Sequence, residues 1–566
     1  MFKKYLLCTA LLLAVFSVKV FPSGIQVLNT EVTTNSDKKS AQVKFSLTWD
    51  HSWRLDDGPK NWDAAWVFIK YRTLPGDNWN HAYISTTAAS HKLPTNASLS
   101  LGNSTAVVGG ANTTVSVGAF IFRKAAGNGA VSFTDIELNW DFTKNGLTGG
   151  EQVEVCVLAT EMVYIPQGPY YLGDYTSIGR FTRNRSSNSA ALGGEAVIQI
   201  ATANPTHAGY FSNYWSIYGS NSSAYTTART GLVNNCISSV SAPVPDDANA
   251  GNRVSGANNP TPWTSFASVI NTNFPRGFSA FYCMKYEVTQ GEYVQFLNKN
   301  LVSVKNAGTY FNSGTAGRYA IVKKANTGTA NTPAEYELSN PTAAYLPCNY
   351  LGTKDITAWL IWAGLRPMTE LEFEKVCRGT EAIPGTASLR PQYAWGSTNI
   401  NNAAGFANKG MSNEGPSNAT GNCAVATSAA VTAIGSATAG LDGPMRAGGF
   451  ATPVSSREKA GGSFYGVMEM SGNLWERCIS VGNDLGRLFQ GSVIAGHGNG
   501  EIGPNANPDL PIGGGWPAVT GAGLGFRGGS YLDIPDRARI SDRYFINLVN
   551  ITRHQSFGGR GVRTAL

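Results

Sequence analysis

The sequence predicts an α+β protein in two parts: an all-β, sandwich-like domain and then a larger domain with little regular secondary structure. Residues 25–158 contain short runs in which apolar and polar residues alternate, as they do in half-buried strands. Residues 159–566 contain three segments with helix signals, separated by stretches rich in Gly, Asn, Ser and Thr. Residues 1–24 precede both domains.

Five segments of the first domain have the composition and period of β-strands. Residues 42–49 are the clearest, because their side chains alternate between apolar and polar types. The other four segments are residues 64–71, 119–123, 136–140 and 153–157. Short strands at this spacing, with turn residues between them, are typical of a β-sandwich.

Tryptophan is concentrated in the first domain. One interpretation is that the indole rings stack on sugars, which would make the chain a glycan-binding surface protein. The other, which we favour, is that they pack in the core and on strand faces. The tryptophans concerned are Trp49, Trp53, Trp62, Trp66 and Trp79.

The second domain has three predicted helices and one long insertion. Thr289 and Glu292 have the spacing of a capping box, in which each side chain bonds the backbone N–H of the other residue. Thr369 and Glu372 repeat this pattern, and a third helix is expected over residues 355–363. Residues 175–275 are interpreted as an insertion with long loops.

The composition favours an extracellular protein and argues against a nucleic-acid partner. Charged residues make up 14% of the 566 residues, against roughly 25% in typical soluble domains. The net charge of +7 is scattered, with no block of Lys and Arg that would follow a phosphate backbone.

Residues 1–24 have the layout of a secretory signal peptide. Lys3 and Lys4 precede an apolar run over residues 5–16, which is too short to cross a bilayer. No other run of the sequence reaches about 18 apolar residues, so we expect no transmembrane helix. We expect export through the Sec pathway to the periplasm, the outer surface or the extracellular medium.

Seven cysteines follow the predicted signal peptide. Export permits disulfides, but the spacing leaves the pairing open and forms no CxxC metal or redox motif. The cysteines are Cys156, Cys236, Cys283, Cys348, Cys377, Cys423 and Cys478.

A series of motifs follows one particular order after residue 161. They are MVYIPQG (162–168), YEVTQ (286–290), GLRPMTELEFE (364–374), YAWG (393–396), GVMEMSGNLWE (466–476), FRGGSY (526–531) and GVR (561–563). In this order they resemble the formylglycine-generating enzyme, or sulfatase-modifying-factor, family. The resemblance covers about residues 161–566 apart from the insertion, and it implies a C-type-lectin-like fold.

The resemblance also implies a chemistry that this chain has lost. Active members of the family oxidise a cysteine of a sulfatase with a copper ion, which two thiolates after the Gly-Gly-Ser segment hold. Here Asp533 occupies the first of these cysteine positions, and no cysteine follows Cys478. A carboxylate is a hard ligand that cannot replace a Cu(I) thiolate. We therefore expect neither copper nor a catalytic residue of the family's kind.

Another metal is the alternative that would keep the chain an enzyme. Non-heme iron requires two histidines and a carboxylate on one face. The histidines of the sequence are isolated, so we expect them on the surface or in loops. The alternative is therefore a metal-dependent oxidoreductase with altered chemistry, in which His497, His554 and Asp533 would bind the metal.

Calcium is the metal that the resemblance favours. The family's structural calcium site would here consist of Glu469, the Gly472 carbonyl, the Leu474 carbonyl and Glu476. These are hard oxygen donors of the kind that Ca²⁺ requires. The competing interpretation is that Glu476 pairs with Arg477 or another arginine. A second family site would fall near Asn402 and Ala403, where the alignment is loose.

A dense charged segment lies where the family builds its active groove. The candidate groove residues are Ser530, Asp533, Arg537, Arg543, His497 and His554. One interpretation is a binding pocket in place of the copper site. We favour the other, a network of ion pairs that fixes irregular backbone, in which Asp536, Arg539 and Asp542 also take part.

These observations lead us to expect an exported, non-catalytic protein of this family. It would act as a structural or binding module at the cell surface or in an extracellular assembly. Its partners would be other proteins or surface glycans, and either a homo- or a hetero-assembly is compatible with the sequence.

Overall fold

The computed structural model describes residues 24–173, 181–183, 198–200, 215–217 and 271–565. Short gaps remain at residues 330, 381–391, 428–433, 437–439, 504–507, 509, 512, 518 and 547. The predicted signal peptide up to residue 23, Cys236 and most of the predicted insertion therefore lie outside the described residues.

The described chain is a mixed structure of β-sheets with a few helices. Its strands are β1 (Gln26–Thr34), β2 (Ala41–Arg54), β3 (Asp63–Thr73), β4 (Asn80–His81), β5 (Ala97–Val108), β6 (Ala111–Arg123), β7 (Gly127–Trp140), β8 (Val153–Ile165), β9 (Tyr170–Leu172), β10 (Phe181–Arg183), β11 (Ile198–Ile200), β12 (Trp215–Ile217), β13 (Phe281–Met284), β14 (Ile321–Lys323), β15 (Tyr336–Leu338), β16 (Arg366–Thr369), β17 (Phe406–Ala407), β18 (Gly415–Pro416), β19 (Glu476–Ile479), β20 (Leu524–Arg527) and β21 (Gly561–Thr564). Its helices are α1 (Gln290–Asn298), α2 (Val302–Ala307), α3 (Thr353–Trp362), α4 (Glu370–Arg378) and α5 (Asp484–Arg487).

One ten-stranded sheet runs through both predicted parts of the chain. Its order is β20-β19-β16-β21-β13-β8-β3-β6-β5, with β4 paired beside β3. Strand β8 joins the two parts, because it pairs with β3 from Val153 to Val163 and with β13 from Met162 to Ile165. The predicted boundary between residues 158 and 159 thus falls inside one strand, and the two parts share a hydrogen-bonded sheet.

A second, three-stranded sheet of order β1-β2-β7 covers one face of the N-terminal strands. Alternate residues of β2 face inwards, and Val43, Phe45 and Leu47 pack with Val67 and Ile69 of β3. The alternation at residues 42–49 therefore predicts the buried face correctly. The other four predicted segments lie in β3, β6, β7 and β8.

The opposite face of the same strands packs against helices α1 and α3. Trp66 and Phe68 of β3 join the core that contains Phe296 of α1 and Trp362 of α3. The Trp66 indole N–H donates to the carbonyl of Ala363 at 2.8 Å. Phe68 and Trp362 meet edge to face, with ring centroids 5.2 Å apart.

The three helix predictions are confirmed. Thr289 caps α1 and Thr369 caps α4, each in a complete capping box. The third helix, α3, runs from Thr353 to Trp362, and its Asp355 carboxylate accepts the Gly352 backbone N–H at 2.8 Å. No helix of the described residues is long and apolar enough to span a membrane.

The N-terminal tryptophans pack inside the protein, as we favoured. Trp49 is 2% exposed, Trp66 is 0% exposed and Trp79 is 6% exposed. Trp62 stacks on Tyr164 with ring centroids 3.9 Å apart. Trp53 lies against the Lys285 ammonium group, 4.8 Å from the ring centroid. Trp53 and Trp62 are half-buried at the edge of the core, so all five rings contact the protein itself.

Candidate functional site

The carboxylate of Asp533 is buried and hydrogen-bonded on both oxygens. Oδ2 accepts the Trp475 indole N–H at 2.6 Å and the Ser530 hydroxyl at 2.5 Å, and Oδ1 accepts the Gly435 backbone N–H at 3.0 Å. Burial raises the pKa of Asp533 to about 6, although the Ser530 hydroxyl and the backbone N–H oppose this shift. At this position the side chain fixes three segments of the fold.

Cys423 lies in a segment that hydrogen-bonds the backbone of Asp533, although the two residues are far apart in the sequence. The Ala426 backbone N–H donates to the Asp533 carbonyl at 2.8 Å, and Cys423 lies three residues before Ala426. The Cys423 thiol is buried and donates to the Ser471 carbonyl at 3.1 Å. Burial raises the pKa of this thiol. The six described cysteines form no disulfide with one another.

The two candidate histidines lie in different surroundings. His554 is half-buried, bonds the Ser556 hydroxyl through Nδ1 at 2.7 Å and lies against Gly435, whose N–H contacts Asp533. His497 is fully buried, and its Nε2 accepts the Thr564 backbone N–H at 3.2 Å. Burial lowers the pKa of both imidazoles. Within the part of the chain that the structure describes, His497, His554 and Asp533 do not form a group that could hold a metal ion.

The charged segment after β20 forms ion pairs, as we favoured. Arg537 pairs with Asp542 at 2.8 Å, and its guanidinium lies 3.6 Å from the Tyr544 ring centroid. Arg543 contacts both oxygens of Glu370 at 2.5 and 2.9 Å. The sequence interpretation missed Glu370, which comes from α4 and is 0% exposed.

Arg527 extends this network to the same helix. It donates to Glu374 at 2.8 Å and to the carbonyls of Ile540 and Asp542 at 2.9 Å each. A buried charge without its partner costs several kcal/mol. Glu370 and Glu374 therefore hold the irregular segment after β20 against α4. Their spacing of four residues on one helix face was the sequence signal for a shared role.

The predicted calcium ligands surround a cluster of buried carboxylates. Glu476 Oε1 accepts the Arg560 guanidinium at 2.7 Å, and Glu469 Oε1 accepts the Gly448 N–H at 2.8 Å. Glu476 therefore pairs with an arginine, as the competing interpretation stated, but Arg477 donates instead to the carbonyls of Asn550 and Thr552.

Each predicted calcium ligand nevertheless retains an unused oxygen. Oε2 of Glu469 and Oε2 of Glu476 are buried without a hydrogen-bond partner. The carbonyls of Gly472 and Leu474 accept no backbone hydrogen bond from the described residues. The described residues contain no group of three His, Cys, Asp or Glu side chains that could hold a metal. The predicted calcium site does not meet this criterion of three side chains, because two of its four ligands are carboxylates and the other two are backbone carbonyls.

Glu287 shapes the loop that carries these carbonyls, and the sequence interpretation did not identify it. Its carboxylate accepts the Asn473 side-chain amide at 2.7 Å and the Leu474 N–H at 2.9 Å. Around it, Glu469, Gly472 and Asn473 have positive φ of 54°, 85° and 70°. Such a backbone persists only where surrounding contacts hold it.

The charges of this cluster do not balance within the protein. Glu287, Glu469 and Glu476 are all buried, and Arg560 is the guanidinium that pairs with Glu476. Burial raises the pKa of each carboxyl, that of Glu469 to about 7, and the charge of Glu476 adds to the shifts of Glu287 and Glu469. A divalent cation at the unused oxygens would offset this excess. The donor set therefore fits Ca²⁺.

The looser second calcium position is occupied by protein contacts. The Asn402 carbonyl accepts the Asn418 amide at 3.0 Å, and the Asn402 side chain donates to the Ala426 carbonyl at 3.3 Å. Ala403 N–H bonds the Cys423 carbonyl at 2.8 Å.

The mixed sheet, the capped helices and the ordered motifs define one class of domain. Residues 249–565 match the family model of the sulfatase-modifying factor enzyme 1-like domain. This match covers more than half of the chain, so the chain belongs to that family. The motif at 162–168 lies before the matched range, and its first four residues are the end of β8 that pairs with β13. No curated protein sequence matches the chain.

Proposed function

We propose that this chain is an exported, non-catalytic member of its family that serves as a structural or binding module at the cell surface or in an extracellular assembly. The observation that carries the proposal is the environment of Asp533. At the position of the first copper ligand stands a hard carboxylate, and its hydrogen bonds to Trp475, Ser530 and Gly435 occupy both oxygens.

Calcium has a structural role in this proposal. Glu469, Glu476 and the carbonyls of Gly472 and Leu474 would hold it, and the ion would supply positive charge to buried carboxylates. Glu287 orients the loop by bonding the Leu474 N–H. Arg560 donates to Oε1 of Glu476, which keeps the carboxylate in one orientation and leaves Oε2 for the ion.

We assign the second domain the C-type-lectin-like fold of the family, and the first domain a sandwich-like fold. The few short helices among long irregular segments support the first assignment. The packing of the β1-β2-β7 sheet on β3, β6 and β8 supports the second.

The signal-like residues 1–24 support export through the Sec pathway. The partners in this proposal are other proteins or surface glycans, because lectin-like scaffolds carry long loops on a rigid base. An assembly of like or unlike chains is compatible with the same role.

The alternative is a metal-dependent oxidoreductase with altered chemistry. It would require His497, His554 and Asp533 at one metal. His497 instead bonds Thr564, whereas Asp533 bonds Ser530, Trp475 and Gly435. No described contact favours this alternative.

Metal analysis combined with oxygen uptake separates the two functions. Purified full-length protein, dialysed against trace copper, iron, zinc and calcium, is expected to retain calcium alone and to consume no oxygen with a cysteine peptide and a reductant. The Glu469→Gln/Glu476→Gln variant is expected to lose the calcium. Stoichiometric copper or iron together with oxygen consumption would overturn the proposal.

A further inference from the structure

A cleft of about 420 Å³ opens in the N-terminal domain, at the turn between β6 and β7. Its walls are the segment before β5, the end of β6 with its turn, and the first half of β7. The lining residues are Thr95, Asn96, Arg123, Lys124, Ala125, Ala126, Ala130, Val131, Ser132 and Phe133. The cleft shares no residue with the carboxylate cluster or with the surroundings of Asp533.

Arg123 is a fixed cation in the wall of this cleft. Its Nη2 donates to the carbonyls of Gly129 and Ala130 at 2.7 and 3.2 Å, and its Nε donates to the Ser52 hydroxyl at 3.0 Å. Ser52 is itself held by Asp63 at 2.8 Å. A guanidinium positioned in this way loses little freedom when it binds a ligand.

The cleft is cationic, because its basic groups have no carboxylate partner. Arg123 and Lys124 form no ion pair with any residue that the structure describes, and the lining contains no acidic side chain. Elsewhere in the same domain Lys44 pairs with Asp135 and Lys92 with Glu137. The Lys124 backbone N–H bonds the Asn96 carbonyl at 3.0 Å, which fastens one wall to the other.

The rest of the lining suits a ligand that has both hydroxyl groups and an apolar face. Thr95, Asn96 and Ser132 supply hydroxyl and amide groups, and the exposed methyl groups of Ala125, Ala126 and Ala130 supply the apolar surface. The volume lies within the range of small-ligand sites, and it exceeds what a lone inorganic anion fills. Arg123 Nη1 and the Lys124 ammonium are the charged donors of the wall that make no hydrogen bond with any residue the structure describes, and such donors form short, strong hydrogen bonds to carboxylate and sulfate oxygens.

We propose that this cleft binds an anionic saccharide, one that carries a carboxylate or sulfate group on a sugar ring. Arg123 and Lys124 bind the anionic group, and Thr95, Asn96 and Ser132 bind ring hydroxyls. The lining includes none of the five N-terminal tryptophans. This saccharide site is separate from the function proposed above, because it does not depend on whether the family domain is catalytic.

Calorimetric titration of the full-length protein with a sulfated uronic-acid disaccharide tests this proposal, with lactose and inorganic sulfate as comparison ligands. Saturable binding of the acidic disaccharide is expected, with much weaker binding of the other two. Lys124→Glu should weaken the binding by about tenfold or more, because a charge-assisted hydrogen bond is lost and a like charge is added.

Lys39→Glu is the matched control, because Lys39 is exposed, lies outside the lining and gives the same change in net charge. The affinity of Lys39→Glu for the acidic disaccharide should stay within about twofold of the wild-type value, because this variant loses no contact with the ligand. Absence of disaccharide binding, or equal weakening by both variants, would overturn the proposal. Equal affinity for inorganic sulfate would mean an adventitious ion only, and would overturn it too.

Discussion

The Asp533 carboxylate accepts the Trp475 indole N–H at 2.6 Å. This hydrogen bond connects the position that the family resemblance assigns to the first copper ligand with the Gly-Asn-Leu-Trp-Glu segment, which carries the predicted calcium ligands. Trp475 is 1% exposed and packs edge to face on Phe545. Asp533 therefore belongs to the same packed unit as the loop of the predicted calcium ligands.

Replacement of Asp533 by asparagine should destabilise the protein. Both carboxylate oxygens of Asp533 accept hydrogen bonds, whereas asparagine has one acceptor oxygen and one N–H₂ group. The N–H₂ group would face an N–H or O–H donor, so at least one buried hydrogen bond is lost, at a cost of about 1–3 kcal/mol. Denaturant unfolding at pH 7.5 measures this difference. Asp536→Asn is the control, because the Asp536 side chain is half exposed and its ion pair among the described residues is with Arg539 in its own turn. Equal stability of the Asp533→Asn variant and the wild type would contradict the role of Asp533.

The same carboxyl should make stability depend on pH. Its pKa rises in the folded protein from 3.8 to about 6, so the folded state holds the proton over a range where the unfolded chain has lost it. The part of the stability that comes from this raised pKa is therefore fully present below about pH 4 and is lost as pH rises to about 6, while the hydrogen bonds to the ionised carboxylate remain. Over this range the unfolding free energy of the wild type should fall relative to that of Asp533→Asn. Parallel pH profiles of the two proteins would contradict this expectation.

Calcium binding should depend on Glu287, although Glu287 is not a predicted ligand. Its carboxylate positions the Leu474 N–H and the Asn473 amide. Loss of such an outer contact typically weakens a metal site by about 10–100-fold, which is the effect expected of Glu287→Gln. Calorimetric titration with Ca²⁺, together with the rise in Tm on calcium addition, measures it. Glu337→Gln, on an exposed position of β15, should bind calcium like the wild type.

The Arg543–Glu370 pair should contribute strongly to stability. Both side chains are buried, so Glu370→Ala would leave the Arg543 charge without its carboxylate, at a cost of about 3–5 kcal/mol. Lys324→Ala is the control, because Lys324 and Glu335 form a pair that is half exposed on both sides. Chemical denaturation compares the two variants. A similar small effect of both would mean that the network after β20 is not what fixes this segment.

The two predicted parts of the chain should unfold together. Strand β8 belongs to both, and across it Lys285 pairs with Glu161 at 2.6 Å while Glu292 accepts the Thr160 hydroxyl at 2.6 Å. Unfolding followed by far-UV circular dichroism and by tryptophan fluorescence should therefore give coincident transitions. Two separated transitions would show that the shared sheet does not couple the parts.

Local sequence patterns predicted the strands in which buried and exposed residues alternate and the helices that begin with a capping box. Residues 42–49 and the capping boxes at Thr289 and Thr369 are of this kind. Strand β1 was not predicted, because most of its residues after Leu28 are exposed and leave no apolar period. Strand β5 was not predicted either, because small and polar residues dominate it.

The boundary predicted at residues 158–159 falls inside strand β8 for a physical reason. From Val157 onwards both faces of β8 are buried, so the alternation stops although the strand continues to Ile165. The partners within the site were also beyond local patterns. Glu370 lies 173 residues from Arg543, and Glu287 lies 187 residues from Leu474, so only the folded chain brings each pair together.

The most direct test of the central claim, a retained scaffold without copper oxidase chemistry, is the conversion of a sulfatase-derived cysteine peptide. The full-length protein is incubated with the peptide, Cu(I), a reductant and oxygen, and mass spectrometry follows the change from thiol to aldehyde. We predict no conversion beyond that in a protein-free control, because Asp533 stands where the family resemblance places the first thiolate. Turnover of the peptide to the aldehyde, dependent on the protein, would contradict the claim.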